Sequence, residues 1–364
     1  MKILAIDTSC DETAAAVTED TKILSNVIWS QASLHAKFGG VMPSLAQRMH
    51  EERIDFVIKK ALTSAKCLVP SVDAIAVTVG PGLAIALGVG INKAKELAKK
   101  YHKPLMPVNH VEAHLLSPLA ISNSKFLGRS PKDMSAISNQ FPILGLVVSG
   151  GNTVLAKINK IGSYKVLAET QDDALGEALD KAARMLGLGY PGGAILEKFA
   201  KNGNPKTYPL PVPLIGDKVK NRFSYSGLKT SFYRLVEKAR LPDGQEKPLT
   251  KQKIYDLAAS FQEVAFYHII NILTYQINIL NPKSKILYLF FGGGVANNIL
   301  LRSKLRKLLR PYGITLRVPY TKKLCGDNAA MIGACAYLKL KAEDKKLKDF
   351  IKIDSIDRDP RLKW

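Results

Sequence analysis

The chain has 364 residues, 46% of them hydrophobic and 23% charged, which leaves room for one large domain or two smaller ones of an ordinary globular protein. No apolar run reaches the roughly 18 residues of a membrane-spanning helix, and four scattered cysteines without a CxxC pair exclude a disulfide framework or a structural zinc site. The net charge of +22 creates a field that attracts phosphate polyanions, so nucleic acid is the expected partner, although no RNP or KH pattern announces an RNA-binding module.

The N-terminus enters a strand at once, and the acid at position 7 comes too early for a signal peptide. With the free thiols this predicts a cytoplasmic protein. Residues 1–8 form the first strand, and Thr13–Thr18 and Lys22–Ser30 complete a meander. A helical period covers 44–66. Asp73–Val79 reads as a buried strand ending in Gly80-Pro81-Gly82, followed by a helix to about Tyr101. A short strand at 104–108 leads into His110-Val111-Glu112-Ala113-His114. Residues 121–141 are polar and without period, and read as an exposed insertion.

The pattern then starts again. At a constant offset of 140, Leu4, Ser9 and Thr13 recur as Leu144, Ser149 and Thr153, with a further meander to Ala168. A helix is expected from Asp172 to Leu186, loop through 203–230, a long helix over 251–280, and strands at 285–291 and 313–318. A small-residue helix then opens after Cys325-Gly326-Asp327-Asn328. A duplicated α/β unit with a cleft between the copies is the simplest account.

Two histidines at i and i+4 share one helical face, so His110 and His114 can reach one metal ion; a capped helix start with two unrelated histidines has the same spacing. If the halves face each other, Asp327 completes a His, His, carboxylate set suited to iron or zinc, though N-capping also explains an acid there. Three turns are candidate phosphate cradles: Asp7–Thr13, Ser149–Thr153 and Gly292–Gly294. Asp180 is placed either at the hydroxyls of a nucleotide ribose or in a plain ion pair with Arg184.

The ordered motifs IDTSCDET (6–13), GGVMPSLAQRMH (39–50), GPGLAIALGVG (80–90), NHVEAHLL (109–116), VSGGNT (148–153), GEALDKAARMLGLGYPGG (176–193), FSYSGLKT (223–230), GGGVANN (292–298) and CGDNAAMIG (325–333) identify a resemblance. The chain resembles the bacterial TsaD family of tRNA adenosine threonylcarbamoyltransferases, formerly described as O-sialoglycoprotein endopeptidases, over about residues 1–340. The resemblance implies an α/β fold of the actin/Hsp70/sugar-kinase type with two RNase H-like lobes. It implies lobes at 1–115 and 116–327, the helix at about 328–340 packing back on the first lobe, and a basic tail at 341–364. It also implies one divalent metal, Fe(2+) or alternatively zinc, on His110, His114 and Asp327. An adenylate would lie against Val147, Val148, Ser149, Gly150 and Gly151, with Asp180 and Gly193 at the ribose and Asn298 near the base or ribose.

The implied reaction transfers threonylcarbamoyl from threonylcarbamoyl-AMP to the exocyclic amine of the adenosine 3′ of the anticodon, in tRNAs reading codons that begin with adenosine. TsaB and TsaE would be partners, and TsaC would supply the adenylate. Asp11 or Glu12 would orient the amine or take its proton. Ser44 and Gly326 depart from the usual Glu and Thr. The terminal tail is family-atypical, and either adds tRNA affinity or is disordered. A metalloprotease is disfavoured because Glu112 is not next to the first histidine, as H-E-x-x-H requires. A phosphotransferase would need no histidine pair, and a TsaB-like scaffold would lack both the histidines and the second-lobe glycines.

Overall fold

The computed structural model describes residues 1–122, 141–240, 248–280, 286–343, 346–350 and 352–363, so most of the polar stretch at 121–141 lies outside the described residues. In the first lobe β1 (Lys2–Asp7), β2 (Glu12–Glu19) and β3 (Lys22–Ser30) form the antiparallel meander. Then come α1 (Pro43–Ser64), β4 (Ala74–Gly80), α2 (Ala84–Lys100), β5 (Leu105–Asn109) and α3 (His110–Leu116). β4 joins β1 in parallel, β5 joins β4, and the short β6 (Ile121–Ser122) pairs with β3, giving the order β5-β4-β1-β2-β3-β6. Every residue of β4 is buried, as a continuous apolar strand covered on both faces demands.

The second lobe repeats the frame. It contains β7 (Ile143–Val148), β8 (Thr153–Lys160), β9 (Ser163–Thr170), α4 (Leu175–Met185), α5 (Gly193–Ala200), β10 (Arg222–Phe223), α6 (Ser226–Arg240) and α7 (Lys251–Leu280). It closes with β11 (Tyr288–Gly292), α8 (Ile299–Leu309) and β12 (Thr315–Arg317). β7 pairs antiparallel with β8 and parallel with β11, as β1 does with β2 and β4. The sheet order is β10-β9-β8-β7-β11-β12.

Two sequence expectations shift. The helix predicted from Asp172 begins at Leu175, and the predicted loop at 203–230 already contains the start of α6. One residue explains both. Asp172 accepts hydrogen bonds from the backbone N–H groups of Tyr225 (2.7 Å) and Ser226 (3.3 Å) and from the Ser224 hydroxyl, so its carboxylate anchors the first turn of α6 instead of its own helix.

The last long helix, α9 (Ala329–Ala342), is apolar on nearly all sides and returns to the first lobe, against β1 and β2. Alternation along β1 serves two cores: Ile3 and Ala5 join the one that holds Met331 and Cys335 of α9, while Leu4 and Ile6 join the one that holds Ile54 and Val57 of α1. The tail, expected either to bind RNA or to be disordered, is a defined segment whose Ile353, Ile356 and Leu362 pack on the α1–α2 side of this sheet. Among the described residues no helix is long and apolar enough to cross a membrane.

Candidate metal centre and nucleotide cleft

α3 follows β5 without a loop. Asn109 caps it, its side-chain Oδ1 accepting from the N–H groups of Val111 (2.9 Å) and Glu112 (3.1 Å). The helix lies between the lobes because glycines on the second-lobe strands leave room for it. A Cβ on Gly145 would fall 2.1 Å from Leu115, and one on Gly292 would fall 2.1 Å from the His114 carbonyl oxygen. All seven residues of α3 are buried, both histidines and Glu112 included.

The loop before α9 brings Asp327 to the pair. Its Oδ1 lies 3.0 Å from His114 Nε2 and 3.4 Å from His110 Nε2. One ligand atom from each of the three residues lies within 4.8 Å of the others. Separations of 3.0–3.4 Å match the edges of a coordination polyhedron with metal–ligand bonds of about 2.0–2.2 Å. The Nδ1 atoms of His110 and His114 and the Oδ2 atom of Asp7 have no hydrogen-bond partner among the described residues. Asp7 Oδ2 faces His110 Nδ1 at 3.7 Å, the position of a carboxylate that orients a ligating imidazole. The donor set and spacing fit a divalent metal.

Electrostatics follow from burial plus three acids. Burial opposes a charge on His110, but Asp327 and Asp7 outweigh it and push the imidazole up to about 9. Burial lowers His114 against its bond to Asp327. Burial alone would raise Asp327; the charge of His110 and the bonds from both histidines hold it well below the usual carboxylate range. Glu112, set between the two ligands, points away from them. Its carboxylate accepts from the Tyr164 hydroxyl of β9 at 2.7 Å and pairs with Lys339 of α9 at 2.8 Å. One buried acid therefore ties the histidine helix both to the second lobe and to the helix that follows Asp327.

Through His110 and Asp327 the triad meets an interlobe cavity of about 880 Å³, with His114 buried behind them. Ser149, Gly150 and Gly151 line one wall, and Cys10, Asp11 and Glu12 the other. A Cβ on Gly150 or Gly151 would meet nothing within 4 Å, and neither has positive φ, so the fold does not require glycine there. Their bareness leaves the backbone amides open to close approach by a ligand. Ser149 O accepts from Gly176 N of α4 at 3.2 Å, which seats that helix start against the turn.

The other two candidate phosphate turns differ. Burial, with the charges of Asp11 and Asp327, raises Glu12 well above the usual carboxylate range, and an acid-lined turn repels phosphate. Gly292 serves the approach of α3, and Gly293 has φ +89° with the Val148 carbonyl 2.2 Å from its would-be Cβ, so only Gly294 is free to face the cavity.

Asp180 lines the cavity, its Oδ1 accepting from Gly192 N (2.8 Å) and Gly193 N (2.7 Å) rather than pairing with Arg184. Burial raises its pKa despite those bonds. Val147 and Val148 are fully buried in β7 and do not line the cavity. Nor does Asn298, whose Oδ1 caps α8 at Leu301 N (2.9 Å) and whose amide donates to Gln262 (3.1 Å). Sequence reasoning missed Tyr190, Arg184 and Pro360 on the cavity wall, and Asp7 behind the triad. For Asp7 a signal exists: it is a buried acid that directly follows the apolar run 3–6 of β1.

The family model described as TsaD, tRNA N6-adenosine threonylcarbamoyltransferase, matches residues 22–334. The tRNA N6-adenosine threonylcarbamoyltransferase of Trichlorobacter lovleyi is 42% identical over 348 residues, 94% of each chain. The enzyme of that name from Bartonella tribocorum is 40% identical over 381 aligned residues, 100% of this chain and 95% of its own. Among solved structures, T. kodakarensis HypF aligns with a TM-score of 0.58 at 14% identity, covering 96% of this chain and 49% of its own. Component A of the Acidaminococcus fermentans (R)-2-hydroxyglutaryl-CoA dehydratase aligns at 0.51 and 13% identity, covering 94% and 99%. These two share the fold alone, that of the actin/Hsp70/sugar-kinase type. A family model matched over residues 22–334 and relatives of about 40% identity aligned over nearly the whole chain settle its membership: this chain belongs to the TsaD family of tRNA N6-adenosine threonylcarbamoyltransferases, transferases that modify tRNA.

Proposed function

We propose that the chain transfers the threonylcarbamoyl group of threonylcarbamoyl-AMP to the N6 amine of the adenosine 3′ of the anticodon, in tRNAs reading codons that begin with adenosine. The observation that carries this reading is the convergence of a metal-type triad and an open glycine turn on one interlobe cavity. His110, His114 and Asp327 would hold one divalent cation, iron(II) in preference to zinc. Bound there, it supplies Lewis acidity toward the carbonyl of the transferred group.

Ser149, Gly150 and Gly151 bind the adenylate phosphate, and Asp180 with Gly193 takes the ribose. The amine nitrogen attacks the carbamoyl carbon, the bond from that carbon to the phosphate oxygen breaks, and AMP leaves. Glu12, with Asp11 beside it, accepts the proton the amine loses. Burial and the neighbouring acids raise Glu12, which makes its carboxylate a stronger base than an ordinary one. TsaB and TsaE act as partners, TsaC supplies the adenylate, and the work is cytoplasmic.

The test supplies the purified chain with threonylcarbamoyl-AMP and tRNA, with and without partners, and assays modified adenosine. Product is expected to vanish with a chelator and return on adding metal, but not to return in Asp327→Ala. No product under any combination sinks the reading. Full rates in both Asp11→Ala and Glu12→Ala would remove the proton-transfer role alone.

A further inference from the structure

The C-terminal segment, residues 352–363, is bound to the first lobe along its length. Asp354 pairs with Lys99 at 2.5 Å and its carbonyl accepts from Lys95 at 3.3 Å. Arg358 lies in a groove lined by Glu51, Asp55 and Glu96, over Gly88. The backbone then joins the turn after β4: Asp359 N donates to Val79 O (2.8 Å), and Gly82 N donates to Pro360 O (3.3 Å). A Cβ on Gly80 would fall 1.8 Å from Asp359 O, so the turn and the segment fit only without one. Asn109, the cap of α3, donates to Leu362 O at 3.5 Å, and Lys363 reaches Glu169 of the second lobe at 3.8 Å.

This path carries the segment over the mouth of the reactive cavity. Pro360 lines that cavity together with Pro81 and Gly82. Arg361 lines a smaller cavity of about 290 Å³ that shares Pro81 and Asn152 with it. The large cavity is acidic inside, with Asp11, Glu12, Glu177, Asp180 and Asp327 on its walls. A polynucleotide can insert a base there, but with the glycine turn taken by the adenylate, its own phosphates are best placed at the rim, on cations. The other cations nearby are engaged or turned aside: Lys181 holds Asp173 and Glu177, Arg184 on the cavity wall donates to the Gly39 carbonyl (2.8 Å), Arg358 is turned into its groove over Gly88, and Lys363 reaches Glu169. Arg361 is exposed; its backbone N–H holds the Asp359 carboxylate (3.0 Å), and its guanidinium forms no ion pair among the described residues.

We propose that residues 357–363 form the rim on which the RNA acceptor rests, with Arg361 meeting a phosphodiester beside the nucleotide that enters the cavity past Pro360. This rests on the acceptor being RNA, as proposed above. The first half of the segment secures it to the first lobe, and the second half lies at the cavity mouth beside Asn152 and Val154 of the second lobe.

The test measures tRNA binding by fluorescence anisotropy across a salt series, on the full chain with its metal and partners, comparing wild type, Arg361→Ala and Arg361→Lys. Arg361→Ala is expected to weaken binding about fivefold at fixed salt and to lower the slope of log affinity against log salt by about one. Arg361→Lys is expected to restore the slope. AMP affinity, which reports the amides of Ser149, Gly150 and Gly151, is expected to stay put, because Arg361 does not line the cavity that holds them. An unchanged slope in Arg361→Ala overturns the proposal, and so does an equal loss in Arg361→Lys. Binding needs no turnover, so failure of the transfer reaction in wild type remains distinguishable from failure of this rim.

Discussion

In the first lobe the turn between β1 and β2 presents Asp11 and Glu12 to the cleft, with Asp7 buried behind them; the corresponding turn between β7 and β8 presents Ser149, Gly150 and Gly151. The strands around the two turns pair in the same way, and even the threonines that follow match in use. Thr13 bonds His50 of α1 at 2.8 Å, and Thr153 accepts from Leu175 N of α4 at 2.9 Å, each tying its strand to the helix after the meander. The frame thus fixes where a ligand sits, and the charge written into each turn fixes which ligand. An acidic turn suits a metal and a proton acceptor; a neutral turn of bare amides suits a phosphate.

The helix shared by both lobes offers the strongest way to break this picture. Glu112→Ala leaves the Lys339 ammonium and the Tyr164 hydroxyl without their buried acceptor. We expect a loss of about 3–4 kcal/mol by chemical denaturation, at the lower end for a buried pair because Lys339 is partly exposed. A loss below about 1 kcal/mol would show that the lobes do not depend on this brace.

Buried histidines sharpen the contrast next. Acids push His110 up to about 9, whereas burial and the charge of Lys220 push His268 down to about 4 in the core of the second lobe. A depressed folded-state value means that the unfolded chain binds the proton first. Stability contributed above pH 6.5 is then lost as pH falls toward 4. The shift corresponds to about 3 kcal/mol at most. His268→Gln is expected to flatten that part of the stability curve, read by thermal melts across pH; an unchanged acid slope refutes the assignment.

Glycine substitutions give the smallest effects and test the neutral turn directly. Gly293→Ala forces a left-handed residue against a carbonyl and is expected to cost about 2 kcal/mol. Gly151→Ala is expected to change stability by less than about 0.5 kcal/mol, yet to weaken AMP binding in a calorimetric titration. Equal stability losses would mean that both glycines serve the fold alone.

Much of this was legible in the chain. The two histidines are one helical turn apart, and the repeat at offset 140 announces an opposite lobe carrying Asp327. Such signals are local or periodic. What escaped depends on contacts between distant segments: Asp172 anchoring α6, Asp7 behind His110, Glu112 turning to Tyr164 and Lys339, and Asn298 spent on its own helix cap. Gly292 and Gly293 read like a phosphate loop because glycine marks close approach of any kind, here of one backbone to another. The tail carries nearly balanced charges with little apolar period, so nothing in its composition announced a binding site for it on the first lobe.

Asp327 and α9 also set an order of events during synthesis. His114 and Asp327 are 213 residues apart. At roughly 5–20 residues per second the ribosome takes about 10–40 seconds to deliver the second after the first. Through that interval the face of β1 that carries Ile3 and Ala5 waits for its cover, and the two histidines wait for their acid. The arrival of one helix then completes both, so the metal triad closes only when the first-made lobe is finished.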